Sequence, residues 1–179
     1  MRVITGVAGG RKLKSPEGAD VRPTADQVKQ AIFNILQFDL EGRRVLDLFG
    51  GTGQLGIEAL SRGAREAVFT DHAKSSVLLI RENLKRCGLE GKVLQTDALA
   101  YLAGGEKFDV IFIDPPYDSG LYTAVLERIN AVDNLTEGGI IVCEARAGTD
   151  LPMMKEPYHK VREKRYGSVK ICIYRKGSQ

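Results

Sequence analysis

An aspartate, two prolines and a tyrosine, Asp114-Pro115-Pro116-Tyr117, follow directly on the apolar run Phe108 to Ile113. A strand that meets two prolines cannot continue its ladder, because proline donates no backbone hydrogen bond and holds φ at about −65°. The turn is therefore stiff. It holds the Asp114 carboxylate, the Pro115 carbonyl and the Tyr117 ring in one constellation at the end of a sheet. Two acceptors beside an aromatic face suit a planar amine: the acceptors take its two N–H bonds, and the ring stacks on the heterocycle that carries it. Asp114, Pro115, Pro116 and Tyr117 are thus candidate catalytic residues for chemistry at the amine of a nucleic-acid base.

A second cluster lies upstream. Val45-Leu46-Asp47-Leu48 runs into Phe49-Gly50-Gly51-Thr52-Gly53-Gln54-Leu55-Gly56, in which Gly51, Gly53 and Gly56 match a dinucleotide-binding G-x-G-x-x-G. Asp71 follows at about the 20-residue distance of a ribose-binding acid. Asp47 separates the two ligands this pattern serves, because a carboxylate beside the loop repels a pyrophosphate. S-adenosylmethionine has no phosphate and carries an ammonium and a sulfonium, for which Asp47 is an asset. The candidate cofactor residues are Asp47, Phe49, Gly50, Gly51, Gly53 and His72, with Asp71 for the ribose and Asp97 and Ala98 for the adenine. Taken singly, Asp71 and Asp97 also read as helix N-caps, and the glycines as a tight turn.

The elements that must position these groups alternate. Apolar runs at Val45–Phe49, Ala67–Asp71, Lys92–Thr96 and Phe108–Asp114 are separated by helical segments near Leu55–Arg62, Ala73–Cys87 and Ala98–Leu102. This βα period predicts an α/β fold with a doubly wound, mostly parallel sheet, whose strand ends bring Asp47, Asp71, Asp97 and Asp114 to one edge. A helix near Tyr122–Ala131, a strand Gly139–Ala145 and an antiparallel pair, Lys160–Arg165 and Val169–Tyr174 across Gly167-Ser168, complete it. Ahead of the sheet, Thr24 and Gln27 match a capping box for a helix from about Ala25 to Gln37, with Val28, Ala31, Ile32, Ile35 and Leu36 on one face. Residues 1–14 carry Arg2, Arg11, Lys12 and Lys14 without an acid and read as a basic β-hairpin of two short strands around a glycine turn. At 179 residues the expectation is a single domain over 1–179, with a basic extension at 1–23 and a catalytic core at 24–179.

Composition narrows the partners. The net charge of +3 conceals basic ends, 1–44 and 151–179, around an acidic centre, as fits a domain for a cationic cofactor whose edges touch phosphates. Cys87, Cys143 and Cys172 show no C-x-x-C spacing and read as reduced thiols in a cytoplasmic setting. His72 and His159 lack ligand-like neighbours, so no metal site is expected. No apolar stretch approaches the roughly 18 residues of a membrane span, and Met1-Arg2-Val3-Ile4 is not a signal peptide.

Val45 through Gly53 together with Asp114 through Tyr117 resemble the cofactor and catalytic motifs of class I S-adenosylmethionine-dependent amino-methyltransferases. The basic start, Val21-Arg22-Pro23-Thr24 with Ala31 through Leu36, and the closing Arg165-Tyr166-Gly167-Ser168 extend the resemblance, nearly end to end, to the bacterial small-subunit ribosomal RNA guanine-N2 methyltransferase D family. The departures lie in loops such as Val7-Ala8. The resemblance implies a seven-stranded Rossmann-like methyltransferase sheet with an antiparallel last strand and transfer of a methyl group to guanine N2. The partner it implies is ribosomal RNA, within the small ribosomal subunit or an assembly intermediate, met by a monomeric cytoplasmic enzyme. Arg2, Arg11, Lys12, Lys14 and Arg22 are the candidates for phosphate contacts, followed by Lys164 and Arg165. Three alternatives stay open on residues alone: adenine-N6 methylation, for which no separate DNA-recognition segment is found; a nicotinamide oxidoreductase, for which no substrate domain is found; and a non-catalytic RNA-binding module.

Overall fold

The structure is a computed structural model and describes residues 1–16, 23–116 and 119–177, the side chains of 23–25 excepted. Arg22 and Tyr117 lie outside the described residues, as do the side chain of Thr24 and hence its capping interaction. In chain order the elements are α1 (Pro23–Ile35), β1 (Arg44–Asp47), α2 (Gln54–Ser61), β2 (Glu66–Asp71), α3 (Lys74–Cys87), β3 (Lys92–Gln95), α4 (Ala98–Leu102), β4 (Phe108–Ile113), α5 (Leu121–Val132), β5 (Leu135–Arg146), β6 (Tyr158–Tyr166) and β7 (Val169–Lys176).

Seven strands form one sheet in the order β3-β2-β1-β4-β5-β7-β6. β1 to β5 are parallel, whereas β7 pairs antiparallel with both β5 and β6, so the sheet is mixed. From β1 the chain winds outward through β2 and β3 and then returns to place β4 on β1's other side. The strand order therefore reverses between β1 and β4, the place where open α/β sheets leave a crevice at their carboxyl edge. Register Asp47↔Phe112 puts Asp114 just past the end of β4, beside Asp47.

Strand parity sorts the core into two layers. Val45, Phe69, Val110, Phe112, Val142 and Ile173 face α1, α2 and α3, while Leu46, Val68, Ile111, Ile113, Cys143 and Tyr174 face α4 and α5. Burial on both faces is why the strands read as unbroken apolar runs. On α1, Val28, Ile32, Phe33 and Leu36 are buried, and the Phe33 and Phe112 rings meet at 5.7 Å in a tilted pair. This helix starts at Pro23, earlier than the Ala25 expected from the capping pattern, because proline's fixed φ and missing N–H suit the first helical position. β5 begins at Leu135, four residues before the expected Gly139, with a register shift between Phe108 and Val110 taken up on β5 between Leu135 and Ile140, a span that contains Gly138 at φ +72°.

The expected basic hairpin does not form as a two-stranded ladder. Residues 1–16 make a single antiparallel bridge, Arg2↔Lys12, supported by Val3 N–H to Arg11 O at 2.9 Å and Leu13 N–H to Met1 O at 3.1 Å. The reason is burial. Val3, Ala8 and Leu13 insert into the α1–α2 side of the core, and backbone donors that a ladder would use are taken by α2 instead. Ile4 N–H and Thr5 N–H donate to the two Glu58 oxygens at 2.7 and 3.0 Å, and Ala8 N–H donates to Ser61 Oγ at 3.0 Å. No helix among the described residues is long and apolar enough to cross a membrane.

Candidate active site

The glycine loop is built by the ends of β1 and β2. Gly50 N–H donates to Thr70 O at 2.8 Å, and Thr70 Oγ1 donates to Leu48 O at 2.7 Å, so the loop turns back over β2. Close approach explains Gly50, since a Cβ there would stand 2.7 Å from Ile80 Cδ1. Backbone shape explains Gly51 and Gly53, with φ of +55° and +79°, the latter as the N-cap of α2. Buried Asn83 ties the loop down: its amide donates to Thr52 O at 2.9 Å and to Lys14 O at 3.0 Å, while its oxygen accepts from Lys14 N–H at 2.7 Å.

A cavity of about 410 Å³ opens above this loop at the crevice between β1 and β4. Asp47, Phe49, Gly50, Gly51, Asp71 and His72 line it together with Asp114, Pro115 and Pro116, so the glycine loop and the proline turn face one space. Met1, Thr52, Gln54 and Ser76 line it as well. Among the described residues no lysine or arginine side chain does. Asp71 braces the rim, accepting from Gly51 N–H and Ala73 N–H, each at 2.9 Å, while the largely exposed His72 keeps its Nδ1 3.7 Å from Asp71 Oδ1.

Three of the four strand-end aspartates thus share the cavity, and the fourth does not line it. Asp97 sits beyond β3, one strand further out, where its side chain accepts from Ala100 N–H at 2.9 Å and caps α4; Ala98 is buried behind it. Gly53 faces Ile57 and Ile80 rather than the cavity. On the basic segment, Arg11 donates to Arg86 O at 2.9 Å and Lys14 pairs with Glu82 at 3.1 Å, each reaching across to α3.

The electrostatics of the cavity are unusual for so small a space. Asp47 is only 2% exposed, and burial pushes its carboxyl up to about 7; the Gly56 N–H at 3.0 Å opposes this and nearby Asp71 adds to it. Asp114 is raised well above the ordinary carboxylate range by burial first, then by the charges of Glu144 and Asp47. Glu144 was not foreseen as part of this site. The register Ile113↔Cys143 carries it to the strand end next to Asp114, and its one sequence signal is a lone acid in the run Ile140-Ile141-Val142-Cys143-Glu144-Ala145. Met1 gave no such signal, because its place depends on the folding back of residues 1–13.

A site of clustered carboxylates without a balancing lysine or arginine accepts a cation. The donors and the cradle fit S-adenosylmethionine: Asp47 and Asp71 for positive charge and hydroxyls, and bare glycine backbone where a side chain would fill the space. The carboxylates Asp47, Asp71 and Asp114 make the same cavity a poor one for a pyrophosphate.

A family described as conserved hypothetical protein 95 matches residues 1–175. A Bacillus subtilis protein provisionally described as an rRNA methyltransferase, YlbH, is 39% identical, over 98% of this chain and 99% of its own. The Escherichia coli ribosomal RNA small subunit methyltransferase D is 32% identical, over 100% of this chain and 91% of its own. Among solved structures, a protein from Escherichia coli provisionally described as a methyltransferase, YhhF, superposes with a TM-score of 0.89 at 29% identity, covering 100% of this chain and 99% of that one.

Proposed function

The chain belongs to the family described as conserved hypothetical protein 95, together with the ribosomal RNA small subunit methyltransferase D relatives, and from that premise we propose that it methylates the exocyclic N2 amine of a guanine in small-subunit ribosomal RNA. The observation that carries this reading is the single cavity shared by the glycine loop and Asp114-Pro115-Pro116, with Asp47, Asp71 and Asp114 facing into it.

Bound there, S-adenosylmethionine supplies a sulfonium methyl group for in-line displacement. Asp47, its carboxyl poised near neutrality, ionises most readily when a positive group sits beside it. Asp71 keeps acceptor capacity beyond its two backbone donors, enough for hydroxyls. Asp114 and the Pro115 carbonyl accept from the two N–H bonds of the amine and turn its lone pair, otherwise delocalised into the ring, toward the methyl group. Most of the rate gain comes from this alignment. As the new N–C bond forms the amine becomes acidic, and Asp114, held well above the usual range, is matched to take the departing proton. Tyr117 stacks on the extruded base, a contact of roughly 1–3 kcal/mol. Arg2, Arg11, Lys12, Lys14 and Arg22 are the residues we assign to RNA phosphates, with Arg11 and Lys14 exchanging their α3 partners for phosphate on binding, and Asp97 with Ala98 are assigned to the adenine, at the rim beyond the cavity lining.

Mass spectrometry of ribosomal RNA from cells with and without the protein tests the reading. The expected result is loss of one N2-methylguanine in small-subunit RNA; loss of an N6-methyladenine would replace the guanine assignment. Calorimetry should find S-adenosylmethionine bound and NAD not bound, and binding of NAD alone would overturn the cofactor.

A further inference from the structure

A second groove of about 530 Å³ runs between α1 and the edge strand β6. Register explains its composition. Arg162 and Lys164 stand opposite Ile173 and Ile171, whose side chains belong to the core layer under α1, so these two cations and Tyr166 point to the α1 side of the sheet. Glu163 points to the other side and is engaged there by Lys160 at 3.3 Å and Lys170 at 2.9 Å. Across the groove, Gln27, Gln30 and Asn34 lie on one face of α1, all exposed. Among the described residues the walls therefore hold two cations, three amides and no acid.

Neither cation is neutralised. Among the described residues no carboxylate lies within ion-pair distance of Arg162 or Lys164, and the Lys164 ammonium is held 5.2 Å from the centre of the Tyr166 ring. Arg11 and Lys14, by contrast, each have an exposed partner on α3. The groove is also aimed. Tyr166 and Arg146 both register with Val169, so β6 ends at the same edge of the sheet as β5, the edge that carries Asp114 and Glu144. Counting back from Tyr166, Lys164 and Arg162 recede from that edge by about 3.3 Å per residue, a line of charge leading to the edge of the sheet on which the crevice opens, three strands away.

We propose that the groove between α1 and β6 carries the sugar–phosphate backbone of the RNA substrate toward the catalytic edge, a role that rests on the RNA methylation assigned above. Arg162 and Lys164 neutralise phosphates, Tyr166 braces the lysine, and the α1 amides meet hydroxyls and base edges. A strand of alternating phosphates and sugars is the polymer whose chemistry matches unpaired cations interleaved with amides, and phosphate neutralisation is the sequence-independent part of nucleic-acid affinity.

The test is the double variant Arg162→Glu/Lys164→Glu against Lys85→Glu/Arg128→Glu, two exposed basic residues on other helices that give the same change in net charge. The probe is small-subunit ribosomal RNA from cells lacking the protein, both naked and as the assembled subunit. The groove pair is expected to bind at least tenfold more weakly at low salt than the control pair. The slope of log affinity against log salt should become shallower by roughly 1.4, or 0.7 for each lost phosphate contact. S-adenosylmethionine affinity and the unfolding midpoint should match wild type in both. If the groove pair misfolds, Arg162→Gln/Lys164→Gln should show the same direction with a smaller change. Equal losses in the groove and control pairs, or an unchanged slope in the groove pair, would remove the groove from the RNA path while leaving the methyltransferase assignment intact. Wild-type protein that neither binds nor methylates the RNA would overturn both.

Discussion

Glu58 and Asp47 are both carboxylates with almost no exposure, 0% and 2%, and they sit in adjoining parts of the same α/β layer. Around Glu58 both oxygens are hydrogen-bonded, by two backbone N–H groups of the first residues and the Arg62 guanidinium at 2.8 Å, and the Lys29 ammonium stands 3.8 Å away as a further positive charge. Lys29 is itself lowered by burial, and Glu58 is the largest influence opposing that. Around Asp47 there is one backbone N–H and then two further acids, Asp71 and Asp114. Burying a charge costs several kcal/mol unless it is paired, so a fold under selection for stability alone would have treated Asp47 as it treated Glu58. The compensated carboxylate is structural; the uncompensated one is the group we assign to the positive charge of the cofactor.

The largest effect expected from breaking this contrast is on catalysis. Asp114→Ala should lower the methyl-transfer rate by about 10³-fold or more while S-adenosylmethionine affinity, read by calorimetry, stays within a few-fold. Full activity would return Asp114 to the role of a turn residue. Next is the clamp. Glu58→Ala strands Lys29 and Arg62 and orphans two backbone donors, which should cost about 3–5 kcal/mol in urea unfolding.

Asp47 should behave in the opposite sense. Its folded carboxyl, near 7, lies above the unfolded value of 3.8, so the native state holds a proton that the unfolded state has lost. This contribution to stability is present in acid and is lost as pH rises toward 7. Asp47→Asn should therefore stabilise the ligand-free protein by ~1–3 kcal/mol at pH 8 and change it little near pH 4, even as it weakens S-adenosylmethionine binding. For the same reason wild-type affinity for that cation should fall below pH 7, by up to about tenfold per unit, and the fall should flatten in Asp47→Asn. An Asp47→Asn variant destabilised at pH 8 would mean that Asp47 is compensated after all.

The smallest effect separates the fourth aspartate from the other three. Asp97→Ala removes a helix cap and should cost ~1 kcal/mol of stability. A loss of S-adenosylmethionine affinity beyond a few-fold would support the assignment of Asp97 to the adenine, and unchanged affinity would leave it a helix cap alone.

Much of the site was readable because its signals are local. A strand that runs into two prolines stops there whatever surrounds it, and glycines at φ of +55° and +79° mark a turn that other residues rarely make. The basic segment folds back as expected but with only one antiparallel bridge, for a reason equally physical. Its alternation was real, but Val3, Ala8 and Leu13 serve the core rather than a hairpin face, and α2 offered better partners for its backbone than a second short strand.

From the sequence alone come the βα period, the carboxylates at the strand ends and the stiff turn after β4, since each depends on neighbours within a few residues and on the parity of a strand. Only the tertiary structure decided that β4 lies against β1, with Val45 opposite Val110; that Glu144 stands beside Asp114; that Met1 reaches the cavity; and that Arg162 and Lys164 face α1. These are pairings between segments far apart in the chain, set by which layer of the core each strand face must bury, and no local pattern encodes them.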